Sequence, residues 1–341
     1  MLLTAREKIV LGEIVKHFID SASPVSSTLI AQKSRLSFSP ATIRNIMADL
    51  EIRGYIFQPH TSAGRVPKTR GYRAYVDTLM KKTRLSSSEK EQISDTLCPG
   101  EHEIEDILKE VSRILAHLSH QLGVLVSPKI EEGIFQRMEL IPLSSDKILI
   151  IISIDSGFVK TISIEIDSMI PAEKLYLVSR ILNERLSNMK IEDIRKKFAS
   201  IVKDIKDEET GLVKMFSNRA DRLFDFQEET ELYFMGAHHI MQSPDFSDVT
   251  SISSVMEMLE TRREIVDLLD KATRSKPASV KIGEEFEEEK LQDFSLITAR
   301  YSIGGISGVL GIIGPKRMNY SKFISLVEYT ARSITDIYGK N

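Results

Sequence analysis

The 341-residue chain reads as a multidomain α+β protein. Two patterns carry that reading. Three short helices run directly into a strand–turn–strand between residues 4 and 67, and later strands are separated by about a hundred helix-rich residues before strand patterns resume. The length itself exceeds what one ordinary core organises. With 42% hydrophobic and 28% charged residues, wholesale disorder is excluded. No apolar run approaches the roughly 20 residues that span a bilayer, and the opening Met1-Leu2-Leu3-Thr4-Ala5-Arg6-Glu7 lacks the layout of a signal peptide. A single cysteine, Cys98, makes no internal disulfide and suits a reducing compartment. The expectation is a cytoplasmic protein without membrane contact.

Thr4-Ala5-Arg6-Glu7 has capping-box spacing, and Ile9, Val10, Ile14, Val15, Phe18 and Ile19 then form one amphipathic stripe. Ser23-Pro24 ends that helix region, and Ser26-Ser27-Thr28 opens a second helix through Leu29, Ile30 and Ala31. Ser39-Pro40 starts a third, an N-cap serine followed by proline at the first helical position. Its apolar face is Ile43, Met47 and Leu50, and Gly54 stops it. Tyr55-Ile56-Phe57 then reads as a strand, His60–Gly64 as a loop and Arg65-Val66 as a return strand that Pro67 ends. Three helices with a hairpin behind the third predict a winged helix-turn-helix.

Charge agrees with that prediction. Residues 1–82 hold 13 Lys/Arg against 6 Asp/Glu, net +7, whereas the remainder is net −10. On the third helix, Ala41, Thr42, Arg44 and Asn45 lie near the N-terminus, away from the buried Ile43 face. Arginine bonds guanine bidentately, asparagine bonds adenine, and threonine reaches a base or a phosphate. Ser39 and the free amides of the helix start suit phosphate. His60, Thr61, Ser62, Arg65, Lys68 and Arg70 make the hairpin tip dense in polar and cationic groups, suited to backbone or minor-groove contact.

Lys81–Arg84 and Ser86-Ser87-Ser88 read as the start of a linker covering 83–100. Ile104, Ile107, Leu108, Val111, Ile114, Leu115, Leu118 and Leu122 keep helical spacing, for a core helix or a dimer-contact helix. Ile148–Ile154 and Val159–Ile166 flank Asp155-Ser156-Gly157 as a hairpin. From Pro171 to about Thr273 helices dominate, with a strand at Glu231–Phe234. Strands return at Ser279–Ile282, Ser295–Ser302 and Gly308–Ile313 before a helix from Ser321 to Tyr338. One sheet interrupted by a helical insertion accounts for this order.

Ser39-Pro40-Ala41-Thr42-Ile43-Arg44-Asn45, Leu50-Glu51, Pro59–Pro67 and Gly71-Tyr72-Arg73 resemble the HrcA family, bacterial heat-inducible repressors of chaperone operons. Ile312–Tyr320 is similar to that family's Gly-Pro-x-Arg-Met-x-Tyr signature, so the resemblance spans the chain. Lys68-Thr69-Arg70 is more basic than the family's usual exit from the hairpin. The resemblance implies a winged helix at 1–82 and a GAF-like domain at 101–170 and 240–341. It also implies an inserted dimerising domain at 171–239, binding of a homodimer to the inverted-repeat CIRCE operator in double-stranded DNA, and tuning by the GroEL chaperonin.

Other features read as structural. Gly304, Gly305, Gly308, Gly311 and Gly314 lack the Gly-Lys-Ser/Thr ending of a phosphate loop. His238 and His239 are adjacent, point apart and have no third histidine or cysteine near them in sequence, so a zinc site is not expected. Glu284–Glu289 reads as a solvated acidic loop. No nucleophile–base–orienter set stands out, so neither an enzyme nor a cofactor is expected. The function expected is sequence-specific repression. The alternative is a winged-helix repressor whose GAF-like domain senses a small molecule. A chaperone-binding adaptor without DNA leaves the basic hairpin unexplained.

Overall fold

A computed structural model describes residues 3–33, 38–61, 63–98, 104–166, 169–205, 211–226, 231–246, 253, 256–257, 265–269 and 278–339. The first eighty residues form a head. Helix α1 (Ala5–Ser21) starts in the expected capping box, with Glu7 reaching back to the Thr4 amide, and buries Val10, Leu11, Ile14 and Val15. Helix α2 (Ser27–Lys33) follows. Helix α3 (Pro40–Ile52) turns Ile43, Met47 and Leu50 inward. Strands β1 (Ile56–Phe57) and β2 (Val66–Pro67) pair antiparallel, and Val25 adds a bridge by exchanging backbone hydrogen bonds with Arg65 at 2.8 and 2.9 Å. Glycine is required at position 64, because a Cβ there would stand 2.4 Å from the Val25 carbonyl carbon. Helix α4 (Thr69–Ala74) runs into a π turn over Tyr75–Leu79.

The segment expected to be linker contains helix α5 (Ser87–Thr96), which has its own capping box from Ser86 and Glu89 and buries Ile93. Its short length and single buried face hid it from a reading based on apolar period. Helix α6 (Ile104–Ser119) buries Ile107, Leu108, Val111 and Leu115. It ends earlier than its apolar spacing suggests. His120 turns left-handed at φ 52°, and Leu122 opens strand β3 (Leu122–Val126) instead of closing the helix.

Strand β3 lies in a five-stranded antiparallel sheet with β7 (Leu232–Met235), β8 (Ala278–Ile282), β9 (Phe294–Ile303) and β10 (Ile306–Pro315), in the order β7-β3-β10-β9-β8. Alternate residues serve two cores. Ile297, Ala299, Tyr301, Leu310 and Ile312 join the large core shared with α6 and the last described helix, α12 (Tyr320–Tyr338). Phe294, Leu296, Val309 and Ile313 join a smaller one with Phe246, Ile265 and Leu269. A sheet covered on both faces explains why β3 is buried at every position.

Strands β4 (Phe135–Pro142), β5 (Lys147–Ile154) and β6 (Val159–Glu165) form a separate three-stranded sheet. The hairpin at 148–166 was expected to share the C-terminal sheet, and that expectation is corrected. Only Ile148, Ile150, Ile152 and Ile154 of β5 are buried, so one apolar face needs cover. Helices α7 (Ala172–Leu186) and α8 (Ile191–Ile201), which come next in the chain, contribute Leu175, Val178, Leu182, Ile194 and Phe198 to that core. The edge of β4 is closed by α7 side chains: Ser179 donates to the Met138 carbonyl at 2.6 Å, and Asn183 accepts from the Met138 amide at 2.7 Å. Short helices α9 (Leu212–Asn218) and α10 (Ala220–Leu223) precede β7, and α11 (Ala237–Met241) follows it. Chain thus leaves the large sheet at Val126 and returns beside it, since Val126 is the register partner of Leu232.

Candidate nucleic-acid interface

Helix α3 owes its start to Ser39, whose side chain accepts from the Thr42 amide at 3.1 Å and shares a 3.0 Å hydrogen bond with the Thr42 hydroxyl. The Ser39 expected to hold phosphate is therefore first an N-cap. One turn on, Ala41, Arg44 and Asn45 are exposed while Ile43 is buried. Among the described residues, no ion pair or hydrogen bond to a side chain engages Arg44 or Asn45. Helix period alone places both on the open side.

The hairpin is shaped from its base. Glu51, near the end of α3, accepts from the Gln58 amide at 2.9 Å with one oxygen and from Arg65 Nε at 2.9 Å with the other. Gln58 in turn spans the loop, donating to the Thr61 carbonyl at 2.8 Å and the Ala63 carbonyl at 3.0 Å. His60 and Thr61 are exposed at the tip, and Ser62 lies outside the described residues. Lys68 is exposed, its Nζ 5.9 Å from the Phe57 ring centre.

Two expected contact residues are occupied within the head. Arg65 is ion-paired to Glu51, its side chain only 20% exposed. Arg70 lies over the Tyr55 ring at 4.6 Å and donates to the Arg53 carbonyl at 2.9 Å. Arg53 itself bonds Glu7 at 2.8 Å. The Thr4 amide first, and Arg53 behind it, hold the Glu7 carboxyl below its ordinary range despite burial. The structure leaves Arg44 and Asn45 on α3 and His60, Thr61 and Lys68 on the hairpin open, with Thr42 half-buried beside them and its hydroxyl on Ser39. Arg65 and Arg70 also brace the head, Arg70 while remaining exposed. Sequence reasoning quoted Glu51 within a motif without a role and missed Gln58, because neither position follows an apolar period.

A second missed set fixes the head to the rest of the chain. Arg73 forms a two-pronged pair with Glu285 and donates to the Val280 carbonyl at 2.7 Å. Glu285 also accepts from the Ile282 amide, so the acidic run is not merely solvated. Arg317 grips Asp245 at 2.7 and 3.2 Å and reaches the Ile19 carbonyl near the end of α1 at 3.0 Å. Tyr72 packs against Tyr320 with ring centres 6.0 Å apart, and the Tyr320 hydroxyl donates to the Lys316 carbonyl at 2.6 Å. The C-terminal signature is therefore a strap: Arg317 holds the head, Met318 is buried, Asn319 caps α12 and Tyr320 packs on Tyr72.

The family model described as the HrcA protein C-terminal domain matches residues 105–324. A heat-inducible transcription repressor HrcA from Chlorobium phaeobacteroides (strain BS1) is 38% identical over 340 residues, covering 96% of both chains. The chain belongs to the HrcA family. HrcA repressors of Prosthecochloris aestuarii and Chlorobaculum tepidum are 37% and 36% identical, each over at least 98% of both chains. HrcA likeness thus covers the head as well as the region the family model matches. A crystal structure of a hypothetical protein superposes with a TM-score of 0.62 at 24% identity over 98% of both chains, and so shares the fold. Among the described residues, no helix is long and apolar enough to cross a membrane.

Proposed function

We propose that this HrcA-family repressor grips an inverted-repeat CIRCE operator as a homodimer, through an N-terminal winged helix formed by residues 1–82. The observation that carries the reading is the exposed pair Arg44 and Asn45, with half-buried Thr42 beside them, at the capped start of α3 next to a braced basic hairpin. Thr42, Arg44 and Asn45 read base edges, while Ser39, Ala41 and the amides of the first turn, with His60, Thr61, Ser62 and Lys68, meet phosphates. Arg65 and Arg70 act by holding the hairpin in place. The remainder is a GAF-like domain around the five-stranded sheet, carrying an inserted dimerising unit. The pairing of β3 with β7 supports placing that unit between 127 and 231, wider than 171–239. Two-fold symmetry sets two α3 helices in successive major grooves, blocking transcription. The GroEL chaperonin restores the DNA-competent fold after heat.

A salt titration of binding to an inverted-repeat duplex, against a scrambled duplex, tests this directly. The expected result is half-site-dependent binding with a steep salt slope that collapses for Arg44→Ala. Equal weak binding to both duplexes, with and without chaperonin, overturns the operator assignment. Equal binding after heat challenge with and without chaperonin removes the GroEL step alone. The cavity beside β7, lined by Ser127, Lys160, Glu231 and Tyr233, holds about 180 Å³, below the roughly 300 Å³ at which ligand pockets begin, so ligand sensing draws no support from that cavity.

A further inference from the structure

The head meets the body along several lines of contact at once. Helix α4 sets Arg73 on Glu285 and on the Val280 carbonyl of β8, the last strand of the five-stranded sheet. Tyr72, only 2% exposed, packs against the fully buried Tyr320. Arg317 ties the Ile19 carbonyl of α1 to Asp245. Where α4 begins, the chains come so close that a Cβ on Gly283 would stand 2.5 Å from the Thr69 hydroxyl oxygen. The connection itself is fastened too. Lys82 pairs with Glu328 at 2.6 Å, and Thr83 shares a 2.7 Å hydrogen bond with Ser321, which also donates to the Lys81 carbonyl.

A head on a free tether would swing, as domains joined by polar linkers do. Swinging this head would expose two buried aromatic rings and take two guanidinium groups from their carboxylates, and both changes cost free energy. The seam nevertheless leaves the reading side clear. Arg44, Asn45, His60, Thr61 and Lys68 are exposed, and among the described residues no ion pair or side-chain hydrogen bond joins any of them to the body. Lys68 at the hairpin and Thr69 against Gly283 are consecutive in the chain, so the DNA-facing surface begins one residue from the seam. Contacts of this kind fix the direction of a surface without covering it.

We propose that Arg73, Glu285 and Arg317 are positioning residues that set the distance between the two half-sites the repressor accepts. The inference rests on the proposed binding of a homodimer to an inverted repeat. Each added base pair moves one half-site about 3.4 Å along the duplex and turns it about 34° around the axis. A docked head cannot follow that displacement unless the seam opens. The second half-site is then lost, and with it the gain of two-site binding, about 10²-fold or more. The preferred DNA partner is therefore an inverted repeat of one fixed centre-to-centre spacing, and the selectivity for spacing resides in the seam, remote from every base contact.

The test measures binding of full-length protein, with chaperonin present throughout, to inverted repeats whose half-sites are moved apart in steps of one base pair. A duplex with a single half-site and a scrambled duplex complete the set. The wild type should bind its best spacing at least about 10²-fold tighter than one displaced by half a helical turn. Glu285→Ala/Arg317→Ala alters only the body side of the seam. It should bind the single half-site as the wild type does, yet discriminate between spacings by less than about tenfold. Glu285→Gln, which keeps an acceptor for the Ile282 amide, should widen the profile less, and it carries the comparison if the double variant loses half-site binding. Ile150→Val, in the core of the three-stranded sheet, should lower the melting temperature and leave the profile as narrow as before, which separates positioning from a general loss of stability. Equal profile widths in the wild type and the seam variants, with the inverted repeat still preferred to the scrambled duplex, overturn the positioning role alone. Absence of that preference in the wild type overturns the operator reading, and this inference with it.

Discussion

The basic residues of the head fall into two groups that composition cannot separate. Arg44, His60 and Lys68 face solvent without an acidic partner among the described residues. Arg53, Arg65 and Arg73 are bound to Glu7, Glu51 and Glu285. The arginines and lysines of both groups add to the same net charge, but those of the second already hold a carboxylate within the protein, and a polyanion would have to share them. The second group sets geometry: Arg65 braces the hairpin and Arg73 the seam to the body. A basic segment is thus the footprint of an interface, and the pairing pattern within it is the interface itself.

Substitutions break this comparison in graded ways. Arg44→Ala should weaken the specific complex by about 1–3 kcal/mol, roughly fivefold to 150-fold, while the melting temperature stays put. A matching loss on a scrambled duplex would return Arg44 to the phosphate contacts. Arg317→Ala leaves Asp245 and the Ile19 carbonyl without their shared donor and should cost about 2 kcal/mol of stability. Limited proteolysis would then cut sooner near 81–86, and unchanged protection there argues that the head is held by other contacts. Glu51→Gln should cost about 1 kcal/mol and loosen the hairpin, read as faster amide exchange at Gln58. Lys68→Ala should weaken all duplexes alike and lower the salt slope by about 1.

The smallest effect lies away from DNA. Hydrogen bonding from Lys322, then from the Ser86 amide, lowers the Glu89 carboxyl to about 2. The folded value is below the unfolded one, so this stabilisation is complete above the unfolded carboxyl's value of about 4.5 and is lost as pH falls towards about 2. Acid titration of Glu89→Gln, followed by circular dichroism, should show a shallower decline over that window than wild type.

Local chemistry made much of the head legible. Thr4 and Glu7, Ser39 and Pro40, and the Ile43-Met47-Leu50 stripe act within one or two turns, so helix starts and buried faces could be read from the chain. The hairpin followed from Gly64, Arg65 and Val66. Strand β3 was missed because Leu122 continues the apolar spacing of α6, and the break is made by His120, whose left-handed backbone leaves no period. Strand β4 was missed because Arg137 and Glu139 interrupt its apolar residues on the face away from the core. Which arginines are free was not legible at all, since Glu51 and Arg65 meet through the tertiary fold.

The adjacency of Val126 and Leu232 bears on how this architecture tolerates change in size. The chain between them leaves and rejoins the sheet one strand apart, a gap of about 4.8 Å that a tight turn can bridge. Because closing a longer loop costs only about 0.6 kcal/mol per doubling, the five-stranded sheet is nearly indifferent to how much polypeptide hangs from that junction. Lengthening, shortening or exchanging the segment at 127–231 changes what the molecule presents to a partner while leaving the sheet's hydrogen-bond register as it was.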